Sequence, residues 1–353
     1  MEKTREGRTK RIASWLAAGG LAAIAAFGAS DAMAQADAVE EFYSGRTVKI
    51  VVGFSPGGGY DLYARLAADH IGKHIPGEPT VIVENMPGGG GRRAAGYLYT
   101  VAPKDGSEMS VIVQSVAFDA ALGELPDVDD PSDFNFIGRL TSNVELQFTW
   151  HTSETKSLED AKQNAVIVGA TGPTSPSATV PRMLNETIGT KFEVVSGYGG
   201  TAEVALAMER GEVEGMMQGV ESLRSTRADW IDQGQINGIW QLALRPHPEF
   251  PDVPVVGDLG DTDEDRRMLR LIAGTSEIGR SLVAPPGVPE ERVQALRDAF
   301  QAMLDDSEFQ ADAEARNAAL DPATGEELQA LVEETMQTPE PVIERTRAVL
   351  GLD

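Results

Sequence analysis

The stretch Val48-Lys49-Ile50-Val51-Val52-Gly53-Phe54-Ser55-Pro56-Gly57-Gly58-Gly59-Tyr60-Asp61 constrains the fold more than any other. Its β-branched run reads as a buried strand, and the proline and glycines after it read as a turn. Beyond the turn, Leu62, Leu66, Ile71 and Ile75, with Tyr63 and Ala67, form one apolar stripe at helical spacing. Strand, glycine turn and helix in that order are the building block of an α/β sheet. The order also leaves backbone N–H groups at the helix start facing out of the turn, where an anion can sit.

The block recurs. A strand over 80–83 leads into Glu84-Asn85-Met86-Pro87-Gly88-Gly89-Gly90-Gly91 and a helix from about Arg92 to Val101, and Asp105-Gly106 turns into a third strand over 109–114. Residues 123–136 are acidic, carry Pro126 and Pro131, and read as a loop; 136–150 then alternate apolar and polar as one long strand would. Beyond it, a strand over 165–169 meets a hydroxyl-rich turn, Ala170-Thr171-Gly172-Pro173-Thr174-Ser175-Pro176-Ser177, before a helix whose first turn should hold Pro181. A strand over 191–196 meets the turn Gly197-Tyr198-Gly199-Gly200, and further strands are expected over 213–218, 236–244 and 281–284. Three helical patterns fill 289–350.

The first 34 residues belong to neither unit. Lys3, Arg5, Arg8, Lys10 and Arg11 precede an Ala- and Leu-rich run, and Ala32-Met33-Ala34 is an A-x-A cleavage site, so an exported chain beginning at Gln35 is expected. Its removal takes the formal charge from −25 to −27, a field that repels nucleic acid and anionic lipid and leaves any anion to be held by local donors. The chain has no cysteine, which excludes disulfides, thiolate metal sites and a cysteine nucleophile.

Each chemical motif meets an obstacle. Gly53-Phe54-Ser55-Pro56-Gly57 matches the nucleophile elbow G-x-S-x-G, but the residue after Ser55 is a proline, which has no N–H for an oxyanion hole. A phosphate loop needs Gly-Lys-Ser/Thr where this chain has Tyr60-Asp61, and neither glycine cluster fits G-x-G-x-x-G. His70 and His74 are spaced i,i+4 without the glutamate of a zinc helix, and 261–265 begin like a calcium loop but place Arg266 at the glycine position. No metal and no cofactor is expected. Binding without chemistry survives: several glycine turns at the same ends of parallel strands, in two units, line a cleft suited to a carboxylate.

The ordered set of Val48 to Asp61, Val83-Glu84-Asn85-Met86-Pro87-Gly88-Gly89-Gly90-Gly91, Pro103-Lys104-Asp105-Gly106, Tyr198-Gly199-Gly200, Pro251-Asp252-Val253-Pro254 and Ala284-Pro285-Pro286-Gly287-Val288-Pro289 closely resembles the substrate-binding proteins of tripartite tricarboxylate transporters, the Bug family. The resemblance implies an α/β, two-domain periplasmic binding protein of type II-like architecture. Each domain would be a mainly parallel sheet flanked by helices, with two crossing strands as hinge. One domain would hold 40–142 and 279–353 and the other 143–278, with crossings near 140–148 and 275–282. It further implies capture of a small organic carboxylate, possible di- or tricarboxylates included, by a monomer that delivers it to a two-component membrane permease. Carried over by position, the ligand would meet Phe54, Ser55, Gly57, Gly58, Gly59 and Asp61 on one side and Thr171, Gly172, Thr174, Ser175 and Ser177 on the other, with Tyr198 and Gly199 from the matching third turn. Three departures from the family pattern are Ser55 where proline is usual, Gln218 where aspartate is common, and Arg92 with Arg93 where small or amide residues are usual; Gln218 and Arg92 are therefore further candidates for a more anionic or longer ligand. An exported hydrolase using Ser55 and a ligand-sensing subunit of a signalling system are the alternatives.

Overall fold

The computed structural model describes residues 35–54, 56–171 and 175–352. The expected leader 1–34, its cleavage site, Ser55, Gly172 and Thr174 lie outside them. Among the described residues no helix is long and apolar enough to cross a membrane.

Helix α1 (35–43) precedes the first sheet. This sheet begins with β1 (Thr47–Val52), α2 (Gly59–Ile71), β2 (Thr80–Asn85), α3 (Arg92–Thr100), β3 (Glu108–Val111), α4 (Val116–Ala121) and β4 (Asn135–Arg139). The chain then builds the second sheet with β5 (Glu145–Trp150), α5 (Leu158–Gln163), β6 (Val166–Ala170), α6 (Pro176–Ile188), β7 (Phe192–Ser196), α7 (Thr201–Glu209), β8 (Gly215–Gly219), α8 (Val220–Asp232) and β9 (Ile236–Leu242). Helices α9 (Asp263–Ala273) and α10 (Thr275–Ile278) lead back to the first sheet, which β10 (Ser281–Ala284), α11 (Glu290–Leu304), α12 (Ser307–Ala315), β11 (Ala323–Thr324) and α13 (Gly325–Met336) complete before α14 (Glu340–Leu350).

The strand orders are β11-β4-β10-β3-β1-β2 and β7-β6-β8-β5-β9. Both sheets are mixed rather than mainly parallel. β2, β1 and β3 run parallel, as do β7, β6 and β8, but β10 is antiparallel to both its neighbours and so is β5. The cause is the crossing itself. A strand that enters from the other unit starts at the edge where the local strands end, so it must run against them.

That register also locates the cleft. Glu145, the first residue of β5, pairs with Gly219, the last of β8, and Leu282 pairs with Val111, the last of β3. The two crossings and the turns that follow β1, β2, β3, β6, β7 and β8 therefore share one edge of their sheets. The expected long strand over 136–150 is two strands in two sheets, joined by the extended crossing 140–144. The crossings are tied by Leu140 N–H to the Arg280 carbonyl (3.0 Å), Arg280 N–H to the Thr141 carbonyl (2.8 Å) and Asn143 N–H to the Ser276 carbonyl (3.0 Å). Gly279 makes this approach possible: its φ is +49°, and a Cβ there would fall 2.1 Å from the Thr141 oxygen.

Two further differences from the sequence reading bear on the site. Proline at the start of α6 is Pro176, and Pro181 lies within the helix, where it withdraws one N–H from the backbone ladder. The tail holds four helices, and the last, α14, packs on α6 and α9 rather than on the first sheet. Val342 and Ile343 are buried there with Val180, Met183, Leu269 and Ile272. From the opposite direction, Phe118 and Leu122, in and just after α4, enter the same core.

Candidate functional site

The first turn is built from inside outward. Asp61 is 4% exposed, and its carboxylate accepts hydrogen bonds from Gly57 N–H (2.9 Å), from Arg65 Nε and Nη2 (2.9 Å each) and from Asn85 Nδ2 (2.9 Å). Asn85 Nδ2 also donates to the Phe54 carbonyl at 3.0 Å. The Arg65 guanidinium, helped by the Gly57 N–H and Asn85 and opposed by burial, holds the Asp61 carboxyl down at about 2. Asp61 thus braces the turn from behind, and the Gly57 N–H is already in use. Pro56, Gly57, Gly58 and Gly59 are exposed, and α2 starts without a side-chain cap, so its first N–H groups open to the cleft edge.

The third turn repeats the device in a looser form: Gly199 N–H donates to Glu203 Oε2 at 2.9 Å, again four residues on, but both residues are exposed. Tyr198 is half-buried beside it against Val204, which packs on Gly169 of β6. In the hydroxyl-rich turn, Thr171 N–H meets Ser177 Oγ at 3.4 Å, and the Ser175 and Ser177 hydroxyls lie 2.8 Å apart. Gln218 is buried at the end of β8. Its Nε2 donates to Ser222 Oγ (3.1 Å) and Thr226 Oγ1 (3.3 Å), while its Oε1 has no protein partner. Arg92 is engaged elsewhere, with Nε and Nη2 forking onto both oxygens of Asp119 at 3.1 and 3.0 Å.

At the floor, between the crossings, the structure joins Phe54 and Tyr60 of the first turn to Gln114, Asn143 and Arg280, which no local pattern announced. The Phe54 and Tyr60 rings stack at 4.2 Å between centroids, and the Arg280 guanidinium lies 3.9 Å above the Tyr60 ring. Arg280 donates through Nη1 to Gln114 Oε1 (3.1 Å) and through Nη2 to Asn143 Oδ1 (3.0 Å). Asn143 Nδ2 donates to Gln114 Oε1 at 2.7 Å, and Gln114 N–H donates to the Tyr60 hydroxyl at 3.1 Å. Burial raises the Glu145 carboxyl here, with the nearby Arg280 charge opposing. Nothing in Ser276-Glu277-Ile278-Gly279-Arg280-Ser281 marks Arg280 for this place.

The chemical alternatives find little support in this geometry. His70 and His74 face separate carboxylates, Asp312 at 2.9 Å and Asp306 at 3.1 Å, and among the described residues no group of three or more metal-ligating side chains gathers. His247 belongs to the second unit, against Glu221 at 3.2 Å with its N–H on Gln241. A cavity of about 650 Å³, lined by Trp150, Ser153, Gln163 and Glu214, opens at the sheet edge opposite the crossings, away from every turn described above.

Comparison with known proteins gives one family. The model described as "Tripartite tricarboxylate transporter family receptor" matches residues 63–347. The UPF0065 protein in the gbd 5′ region of Cupriavidus necator is 29% identical over 294 residues, 82% of this chain and 83% of that protein. Among solved structures, a TctC solute-binding protein from Polaromonas superposes with a TM-score of 0.64 at 20% identity, over 86% of this chain and 99% of that one. The periplasmic binding protein BugD gives 0.59 at 23% identity, over 88% and 99%. MatC from Rhodopseudomonas palustris, solved with bound malate, gives 0.58 at 24% identity, over 86% and 99%. These structures share the fold.

Proposed function

This chain belongs to the receptor family of tripartite tricarboxylate transporters, and from that premise we propose that it is a periplasmic solute-binding protein that traps a small organic carboxylate between its two sets of turns and presents it to the membrane components of such a transporter. The observation that carries the reading is the shared edge: exposed glycine turns of both sheets open on the side where the two crossings join them. Backbone N–H groups at helix starts suit a carboxylate, each bond to a charged group contributing about 1.5–3 kcal/mol. Closure about the crossings would bring the second set of donors onto a ligand held by the first. Malate in the related MatC belongs to the same chemical class.

The family is one of receptors rather than enzymes. In this reading the chain binds without turnover, acts as a monomer, needs no cofactor, and reaches the periplasm after removal of residues 1–34. Ligand contacts are assigned to Phe54, Ser55, Gly58 and Gly59 on the first side and to Thr171 through Ser177 with Tyr198 on the second. Gly57, Gly199 and Asp61 act behind these contacts, because their donors and acceptors already serve each turn.

The test is a thermal-shift and calorimetric panel of mono-, di- and tricarboxylates on the chain from Gln35 onward. A ligand at one hundred times its Kd stabilises the folded state by about 2.7 kcal/mol and raises the melting temperature accordingly. A panel with no shift and no heat would overturn the proposal.

A further inference from the structure

The geometry points to Arg280 as a specificity-determining residue of the cleft, whose guanidinium at the hinge floor pairs with a ligand carboxylate and sets a preference for a diacid over its mono-amide. This inference rests on the carboxylate-receptor reading above and adds a side chain that belongs to none of the glycine turns.

Three neighbours hold the guanidinium in place: the Tyr60 ring at 3.9 Å, Gln114 Oε1 at 3.1 Å and Asn143 Oδ1 at 3.0 Å. Both acceptors are neutral amides. Among the described residues, no ion pair joins Arg280 to a carboxylate, although the side chain is half-buried. A partly desolvated guanidinium ordinarily has a carboxylate partner, because withdrawing the charge from water costs free energy that neutral acceptors return only in part. Arg280 has five N–H donors, and the two bonds above leave others unused.

Where the unused donors open follows from Gly59. A Cβ built on that residue would meet Nη2 of Arg280 at 3.5 Å and Nε at 3.6 Å, ordinary contact distances, so these two nitrogens lie beside the start of α2. An anion bound at this edge would meet the uncapped helix start and Arg280 together. The fork matches a carboxylate bidentately, a fit that a neutral amide cannot reproduce. Glu145 is the only carboxylate tied into the floor cluster by a hydrogen bond among the described residues, and it reaches Arg280 indirectly, through Asn143 Nδ2 at 3.4 Å. The bonds to Gln114 and Asn143 fix the fork before ligand arrives, which lowers the ordering cost of binding.

Calorimetry on wild type, Arg280→Met and Arg280→Lys, with malate, succinate and adipate and the mono-amides of succinate and adipate, tests the assignment. Arg280→Met should weaken the tightest diacid about 10- to 150-fold, the equivalent of one hydrogen bond to a charged group. Arg280→Lys should fall between, since it keeps charge without the fork. The diacid's advantage over its mono-amide should collapse in Arg280→Met, a change in selectivity that a purely structural arginine would not produce. If Arg280→Met does not fold, a tenfold loss in Arg280→Lys carries the same test. Diacid affinity within threefold of wild type, or an unchanged diacid to mono-amide ratio, would overturn the inference while leaving the receptor reading intact. Wild type binding none of the probes would overturn that reading, and the inference with it.

Discussion

The turn after β1 and the turn after β7 use the same device, a carboxylate four residues on that accepts a glycine N–H, and yet they differ in kind. Asp61 is buried and accepts from Arg65 and Asn85 as well, whereas Glu203 is exposed and its bond to Gly199 faces water. A bond in water exchanges readily with solvent, while a donor withdrawn from a buried carboxylate leaves an acceptor that water does not readily refill. In the proposed clamp, the first turn would therefore be the preformed half and the third the adjustable one.

Asp61→Ala is the hardest blow to that contrast. It removes the acceptor for Gly57, Arg65 and Asn85 together and should cost about 3 kcal/mol in denaturant unfolding, with weaker carboxylate binding because the turn loses its brace. Asn85→Ala, which frees the Phe54 carbonyl but leaves Arg65 on Asp61, should cost about 1–2 kcal/mol by the same measurement. Acid sharpens the comparison further. The Asp61 carboxyl sits at about 2 against an ordinary 3.8, so the unfolded chain takes up the proton first; its stabilisation is complete above the ordinary value and is lost as pH falls toward 2. Acid unfolding of Asp61→Asn should lack that share of the pH dependence. Glu203→Ala should be the mildest, within about 0.5 kcal/mol of wild type. A Glu203→Ala loss as large as that of Asp61→Ala would erase the distinction between the turns.

The same contrast explains what could be read from the residues alone. Strand, turn and helix blocks were legible because their signals are local: β-branched runs, glycine clusters and stripes at helical spacing. The joint between β4 and β5 was not, since the apolar and polar alternation runs on through 140–144 and only pairing partners reveal a change of sheet. Asp61 entered the candidate set through the family resemblance, and its bond to Asn85, 24 residues away, was not legible in either segment alone. The floor cluster was hidden more deeply still. Gln114 and Asn143 are 29 residues apart, and Arg280 joins them from 166 and 137 residues away, separations at which no periodicity speaks.

The placement of α14 has a mechanical consequence. The chain passes between the two sheets at 140–144 and at 276–280, and a third time at 337–339 before α14 seats on α6 and α9. Two cords permit a lobe both to swing and to swivel. In the proposed closure, a third attachment would resist the swivel and leave the swing. Ending the chain at Thr338 would remove that attachment and bare the apolar seat of Val342 and Ile343, and in the proposed closure it would turn a door into a loosely tethered flap.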